Sequence, residues 1–85
     1  MLDIRPNCEW CDRDLPPDSP DARICTFECT WCSDCIEGPD SVHKGVCPNC
    51  GGNVVPRPIR PPAMLESAPA STERVIHPDG PAARR

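Results

Sequence analysis

The sequence predicts a small α+β domain that is stabilised by metal ions and followed by a disordered tail. The chain has 85 residues, of which 8 are cysteine and 13 are proline, and it contains only three aromatic residues. Domains of this size bury too little apolar surface to be stable without disulfides, metals or partners. All eight cysteines lie between Cys8 and Cys50. We therefore predict a folded unit over residues 1–55 and a proline-rich, disordered tail over residues 56–85.

The segments between the first cysteines predict a stiff loop and a short hairpin. Residues 15–20 contain three prolines, each of which fixes φ and removes a backbone donor, so we expect a rigid loop there. Residues 23–25 and 26–28 can pair as adjacent strands. We expect Ile24, and also Phe27, to cover the metal sites.

A short helix and a closing strand are expected after the central cysteines. Residues 32–37 can form one or two helical turns. These turns end at Gly38 and Pro39, because proline cannot continue the helical hydrogen-bond ladder. Residues 54–55 are both valine, which favours strands, and we predict that they close the domain.

The cysteines recur at the spacing of zinc ligands. The pattern is Cys8-x2-Cys11-x13-Cys25-x3-Cys29-x2-Cys32-x2-Cys35-x11-Cys47-x2-Cys50. A two-residue spacer lets the chain fold back so that both thiolates face one point, which suits two corners of a ZnS4 tetrahedron. We call such a Cys-x2-Cys turn a knuckle; the first is residues 8–11 and the last is residues 47–50. We therefore predict two zinc ions per chain, each closed by four cysteines. A closed site leaves no position for water or substrate, so we predict no catalytic residue.

Two other uses of the cysteines compete with zinc. Structural disulfides need an oxidising compartment, whereas thiols stay reduced in the cytoplasm. The WCSDC sequence at residues 31–35 has the outline of a thioredoxin-type redox motif. However, Gly38 and Pro39 end the following helix too early for that scaffold. For zinc, the spacing alone leaves three ways to combine the four cysteine pairs: sequential, nested and interleaved.

The charge distribution argues against nucleic acid as a partner. Residues 1–55 carry ten acidic and four basic side chains, a net of −6, and residues 56–85 carry three acidic and five basic ones, a net of +2. Affinity for nucleic acids comes mostly from Lys and Arg, and in the folded unit these are outnumbered by acidic side chains. We find neither a secretory signal nor a run of about 20 apolar residues, so we expect a cytoplasmic protein that does not enter a membrane.

The cysteine spacing over residues 8–50 resembles the RING-type cross-brace, C-x2-C, a loop, C-x(1–3)-[H/C]-x2-C-x2-C, a second loop and C-x2-C. Trp31 precedes the fifth ligand, Ile36 follows the sixth, and Pro48 lies inside the last knuckle, as in RING domains. LIM domains, which pair their ligands sequentially, are the nearest rival but have longer ligand-free loops. The resemblance implies a RING-like or treble-clef zinc finger with interleaved sites, site 1 at Cys8, Cys11, Cys32 and Cys35, and site 2 at Cys25, Cys29, Cys47 and Cys50.

The RING resemblance also implies a partner surface. In ubiquitin-ligase RINGs an apolar residue of the first knuckle, an apolar helix residue and the proline of the last knuckle form a groove for the conjugating enzyme. Trp10, Ile36 and Pro48 are the corresponding candidates here. The chain departs from the pattern in its truncated helix and in Gly51, which follows the last ligand where active ligases often place arginine.

Five segments of the first 60 residues carry a second resemblance: LDIRPNC (2–8), DLPPD (14–18), ARICTFECT (22–30), CPNCGG (47–52) and PRP (56–58). With these segments the chain resembles a family of short, uncharacterised bacterial cysteine-rich proteins. The resemblance implies a bacterial origin and a zinc-binding fold, but no activity.

These observations predict a zinc-binding structural or protein-interaction module whose protein partner is unidentified and whose oligomeric state stays open. One alternative is a ubiquitin-ligase-like adaptor that positions a conjugating enzyme. The other is a thiol sensor that releases zinc on oxidation, since thiolates are the oxidisable form of cysteine.

Overall fold

The computed structural model describes residues 2–39, 41 and 43–84, which form short elements joined by turns. In chain order these are β1 (Ala22–Ile24), β2 (Thr30–Cys32), α1 (Ser33–Glu37), β3 (Val55–Pro56), α2 (Pro62–Leu65) and a 3₁₀ turn (Pro81–Arg84). No helix in this part of the chain has the length and apolarity needed to cross a bilayer.

The three strands form one antiparallel sheet in the order β2-β1-β3. The predicted hairpin is present, but its second strand begins at Thr30, because residues 25–29 form the turn. In this turn the amide of Glu28 donates to the carbonyl of Cys25 at 3.0 Å, and Glu28 has a positive φ of 65°. The turn places Phe27 at its tip with 72% exposure, so the expectation that Phe27 covers a metal site is wrong.

Helix α1 follows β2 directly and ends where the sequence predicts. Its C-cap is Gly38, where a Cβ atom would lie 2.5 Å from the carbonyl oxygen of Asp34, so a larger residue does not fit. The closing strand β3 lies one residue later than the predicted residues 54–55 and pairs with β1. The predicted short helix and closing strand are therefore both present.

The core contains cysteine thiols alongside its apolar side chains. Trp31, Leu15 and Ile36 are fully buried, and five of the eight cysteines are buried with them. The cluster comprises Cys8, Leu15, Ala22, Cys25, Cys29, Trp31, Cys32, Ile36 and Cys47. With so few large apolar groups, the space that a larger domain fills with leucine and phenylalanine is filled here by thiols.

The segment after residue 56 packs against the folded unit of residues 1–55. Arg57 is 5% exposed, and its guanidinium donates to the carbonyls of Arg5 at 2.8 Å and Leu15 at 3.2 Å. Arg60 donates to the carbonyl of Leu2 at 2.7 Å. These contacts tie the proline-rich segment to the N-terminal residues.

The contacts continue toward the end of the described chain. The amide of Ser71 donates to the carbonyl of Ile4 at 3.1 Å, and that of His77 donates to the carbonyl of Glu9 at 2.7 Å. The disorder expected for residues 56–85 stays a prediction. The contacts form because the N-terminal residues and the first knuckle offer carbonyls and carboxylates, to which this segment supplies amide donors and arginines.

Candidate metal centres

The first cysteine cluster, which we call cluster 1, joins the first knuckle to the start of α1. It consists of Cys8, Cys11, Cys32 and Cys35, whose four Sγ atoms all lie within 4.8 Å of one another. The Sγ atoms of Cys11 and Cys32 are 3.8 Å apart. A ZnS4 tetrahedron with Zn–S near 2.3 Å has edges of about 3.8 Å, so this spacing suits a tetrahedral metal.

Backbone turns give cluster 1 its geometry. The amide of Asp12 donates to the carbonyl of Cys8 at 2.8 Å and closes the first knuckle, with Asp12 at a positive φ of 65°. Cys32 ends β2, and Cys35 lies in α1 three residues later. The helical turn thus presents both thiols on the side that faces the knuckle.

The second cluster, cluster 2, joins the hairpin turn to the last knuckle. The Sγ atoms of Cys25, Cys29 and Cys47 lie within 4.8 Å of one another. The thiol of Cys50 lies within hydrogen-bonding range of the thiols of Cys25 and Cys47. The amide of Gly52 donates to the Sγ of Cys50 at 3.4 Å. These four cysteines could hold a second metal ion.

The two clusters combine the cysteine pairs in the interleaved way. Of the three pairings that the spacing leaves open, the structure has the one that the RING resemblance implies. The β1–β2 hairpin makes this possible, because its turn carries Cys25 and Cys29 while Cys32 and Cys35 follow at its opposite end. One hairpin therefore connects both clusters.

Hydrogen bonds among the thiols of cluster 1 shift the pKa values of these cysteines. A hydrogen bond from Cys35 lowers the pKa of Cys32 far below its usual range, and the same contact raises the pKa of Cys35. The hydrogen bond with Cys32 also raises the pKa of Cys8 to about 11. In cluster 2, burial raises the pKa of Cys29 to about 11. A metal that takes four thiolates must displace these protons.

A polar link connects the knuckles of the two clusters. The amide side chain of Asn49 donates to the Sγ of Cys29 at 3.4 Å and to a carboxylate oxygen of Glu9 at 3.3 Å. Glu9 is 2% exposed and also accepts hydrogen bonds from the amide of Thr30 at 2.7 Å and from Arg5 at 3.1 Å. Neither Glu9 nor Asn49 was predicted from the sequence as a site residue. The signal that could have identified these two residues is their position inside the first and last Cys-x2-Cys knuckles.

The three candidate partner-binding residues do not form one exposed groove. Ile36 is 0% exposed and belongs to the core, because the inner face of α1 packs on the sheet, so it is not available to a partner. Trp10 is half-buried, with its ring 4.3 Å from that of His43 in an edge-on contact and 5.2 Å from that of His77. Pro48 is also half-buried.

This chain is similar to a protein family over its cysteine-rich part and to a bacterial protein over its full length. Residues 1–60 match a family described as "Protein of unknown function (DUF1272)". An uncharacterised protein of Rhizobium meliloti (strain 1021) is 61% identical over 85 residues, which cover 100% of this chain and 98% of that relative. No solved structure matches. With its family match over residues 1–60 and a relative of this identity, the chain belongs to the DUF1272 family.

Proposed function

We propose that this chain is a RING-like zinc module that acts as a structural or protein-interaction unit without catalytic activity. The observation that carries the proposal is the gathering of the eight cysteines into clusters 1 and 2, with sulfur spacings that suit tetrahedral coordination. Zinc is the metal that four thiolates hold in a closed tetrahedron. Closed coordination leaves no site for an attacking water, which is why the proposal includes no reaction.

Zinc would supply the folding energy that the small core lacks. Apparent binding energies of structural zinc are about 10–16 kcal/mol per site, and they become folding energy when no site exists in the unfolded chain. Full burial of a large apolar side chain contributes about 1.5–3 kcal/mol, most of which is offset by the entropy of ordering the backbone. We place the chain in a reducing compartment such as the cytoplasm, where thiols stay available to bind a metal.

The charge of the zinc-loaded module supports a protein partner over nucleic acid. Each ZnCys4 centre has a formal charge of −2, so two centres change the net charge of the chain from −4 to about −8. Such a surface repels phosphate backbones. The ubiquitin-ligase-like alternative gains no support from the side chains, because Ile36 is buried and Trp10 is covered.

The proposal is tested by native mass spectrometry of the full chain produced with zinc, combined with circular dichroism after chelation. We expect two zinc ions per chain and loss of the folded signal when a chelator removes them. A chain that carries one metal, or none with four disulfides, would contradict the proposal. A zinc-free chain that keeps the folded signal would contradict the metal's folding role.

A thiol sensor is the second candidate, and the exposure of Cys50 favours it. Among the eight cysteines, all of which the structure describes, Cys50 alone is exposed. Hydrogen peroxide would take two electrons from two zinc-bound thiolates, which join as a disulfide. The peroxide is reduced to two water molecules with two protons from solvent, and Zn²⁺ leaves. Release of one zinc per chain under mild peroxide supports this candidate, and retention of both ions over hours contradicts it.

A further inference from the structure

We infer that the surface around Trp10 is a docking site for an extended protein segment, and that the chain's own residues 71–83 occupy it in cis. We call these residues the clasp. The partner would carry the recognition features of the clasp: an arginine, then an aliphatic pair, then a glycine six residues after the arginine. The inference rests on the proposed protein-interaction function and names the surface and the partner's chemistry.

The clasp is fitted closely to Trp10. Gly80 is buried against it, and a Cβ atom on Gly80 would lie 2.6 Å from the carbonyl oxygen and 3.2 Å from the ring of Trp10. The amide of Ala82 donates to the same carbonyl at 3.3 Å, and the ring of His77 lies 5.2 Å from that of Trp10. Only a residue without a side chain fits at position 80, so the surface selects glycine there.

Charge attraction holds the other end of the clasp. The guanidinium of Arg74 donates to a carboxylate oxygen of Asp12 at 2.8 Å and lies 2.8 Å from a carboxylate oxygen of Asp14. The side chain of Arg74 is 42% exposed, so solvent screens these contacts and each contributes little binding energy. The acidic pair therefore selects arginine and still allows it to leave.

Hydrogen bonds to the backbone of the clasp define its extended path between these two ends. The side chain of Asn7 donates to the carbonyl of Val75 at 3.0 Å, and the amide of His77 donates to the carbonyl of Glu9 at 2.7 Å. Ile76 lies between them and is half-buried. Main-chain bonds of this kind bind any segment of the right shape, and side-chain positions supply the selectivity.

The clasp leaves polar atoms of the surface without partners. Asn7 Oδ1 and His43 Nε2 are both buried, and neither has a hydrogen bond with the described residues. An unsatisfied buried polar atom costs free energy that a better-fitting segment recovers. These unsatisfied atoms indicate an occupant that can be exchanged while the module stays folded.

The test uses the full zinc-loaded chain and a fluorescent synthetic peptide, STERVIHPDGPAAR, which is the sequence of residues 71–84. In wild type the clasp competes with the peptide. Gly80→Val cannot seat against Trp10, so it should open the surface and tighten peptide binding by about tenfold or more, measured by fluorescence anisotropy. Ala83→Val changes an exposed position and should bind the peptide as wild type does.

Two further measurements keep the outcomes distinct. A peptide with Arg74 replaced by alanine should bind the Gly80→Val chain several-fold more weakly. Equal binding of both peptides, or no binding of either, overturns the inference. If Gly80→Val fails to fold, Arg74→Ala in the full chain takes its place, because its lost contacts are exposed. It should tighten peptide binding relative to wild type, and no change overturns the inference.

Native mass spectrometry of the same samples separates this inference from the proposed function. A Gly80→Val chain that holds two zinc ions but binds no peptide contradicts the docking surface and leaves the zinc module intact. A wild-type chain that holds no zinc contradicts the proposed function itself.

Discussion

Clusters 1 and 2 have the same four donor atoms, but the chain protects them differently. In cluster 1, all of whose cysteines the structure describes, Cys8 and Cys32 are buried and none of the four residues is exposed. In cluster 2, Cys50 is exposed, and the tip of the hairpin turn carries the exposed Phe27. Donor identity determines which metal fits, whereas the surrounding chain determines how easily it leaves. We expect cluster 1 to organise the fold and cluster 2 to exchange its metal.

The largest expected difference is between Cys32→Ser and Cys50→Ser. Cys32→Ser removes a donor that is 1% exposed and belongs to the core, so this variant should be unfolded by circular dichroism. Cys50→Ser removes an exposed donor, which water can replace, and it should keep a folded spectrum with weaker binding of the second zinc. Equal loss of structure in the two variants would refute the difference between the clusters.

Zinc binding by both clusters should depend strongly on pH. Cys8 in cluster 1 and Cys29 in cluster 2 have pKa values raised to about 11, so each is protonated in the metal-free chain at neutral pH. Zinc must displace at least one proton per site, so apparent affinity should rise by about tenfold or more per pH unit between pH 6 and 8. Competition titrations with a chromophoric chelator measure this slope, and a flat profile would show that the bound donors are not these thiols.

Loss of the Asn49 link between the knuckles should weaken zinc binding by cluster 2 only. Asn49→Ala removes the hydrogen bonds to Cys29 and Glu9, and loss of such outer contacts typically lowers metal affinity about 10–100-fold. The second zinc should therefore bind more weakly while the first is unchanged. Asn53→Ala, at an exposed position in the same loop, is the matched control. An effect on both zinc ions, or the same effect in the control, would contradict this role of Asn49.

The smallest expected effect is that of Phe27→Ala. Because its side chain is 72% exposed at the tip of the hairpin turn, the free energy of unfolding should change by no more than about 0.5 kcal/mol. Thermal unfolding of the zinc-loaded chain measures this change. A destabilisation of several kcal/mol would mean that Phe27 covers cluster 2 in solution, as the sequence alone suggested.

Local features of the fold were predictable, because short-range signals determine them. The end of α1 follows from Gly38 and Pro39, and the cysteine pairs follow from their two-residue spacers. The interleaved pairing followed from the resemblance to RING domains, since spacing alone allowed three solutions. The start of the second hairpin strand was missed because Glu28, with its positive φ, extends the turn. No alternation of apolar and polar residues in the sequence indicates this longer turn.

Long-range contacts were not predictable from single residues. Glu9 meets Asn49 across 40 positions of sequence, and Arg57 reaches Arg5 across 52. The contacts of Ser71 and His77 with the N-terminal residues were missed for a related reason, because the composition of residues 56–85 is that of a disordered segment. The opposite net charges of the two parts of the chain were the available signal, and the contact of Arg74 with Asp12 is where they meet.

In the proposed module two metal ions hold the chain in an interleaved arrangement, and cadmium-113 NMR can detect both the number of ions and the pairing of their ligands. In the cadmium-substituted protein, we predict two cadmium resonances in the range of tetrathiolate sites. Scalar couplings should connect one resonance to the β protons of Cys8 and Cys32 and the other to those of Cys25 and Cys47. Couplings that join Cys8 and Cys25 to one metal, or a single cadmium resonance, would rule out an interleaved module with two metal ions.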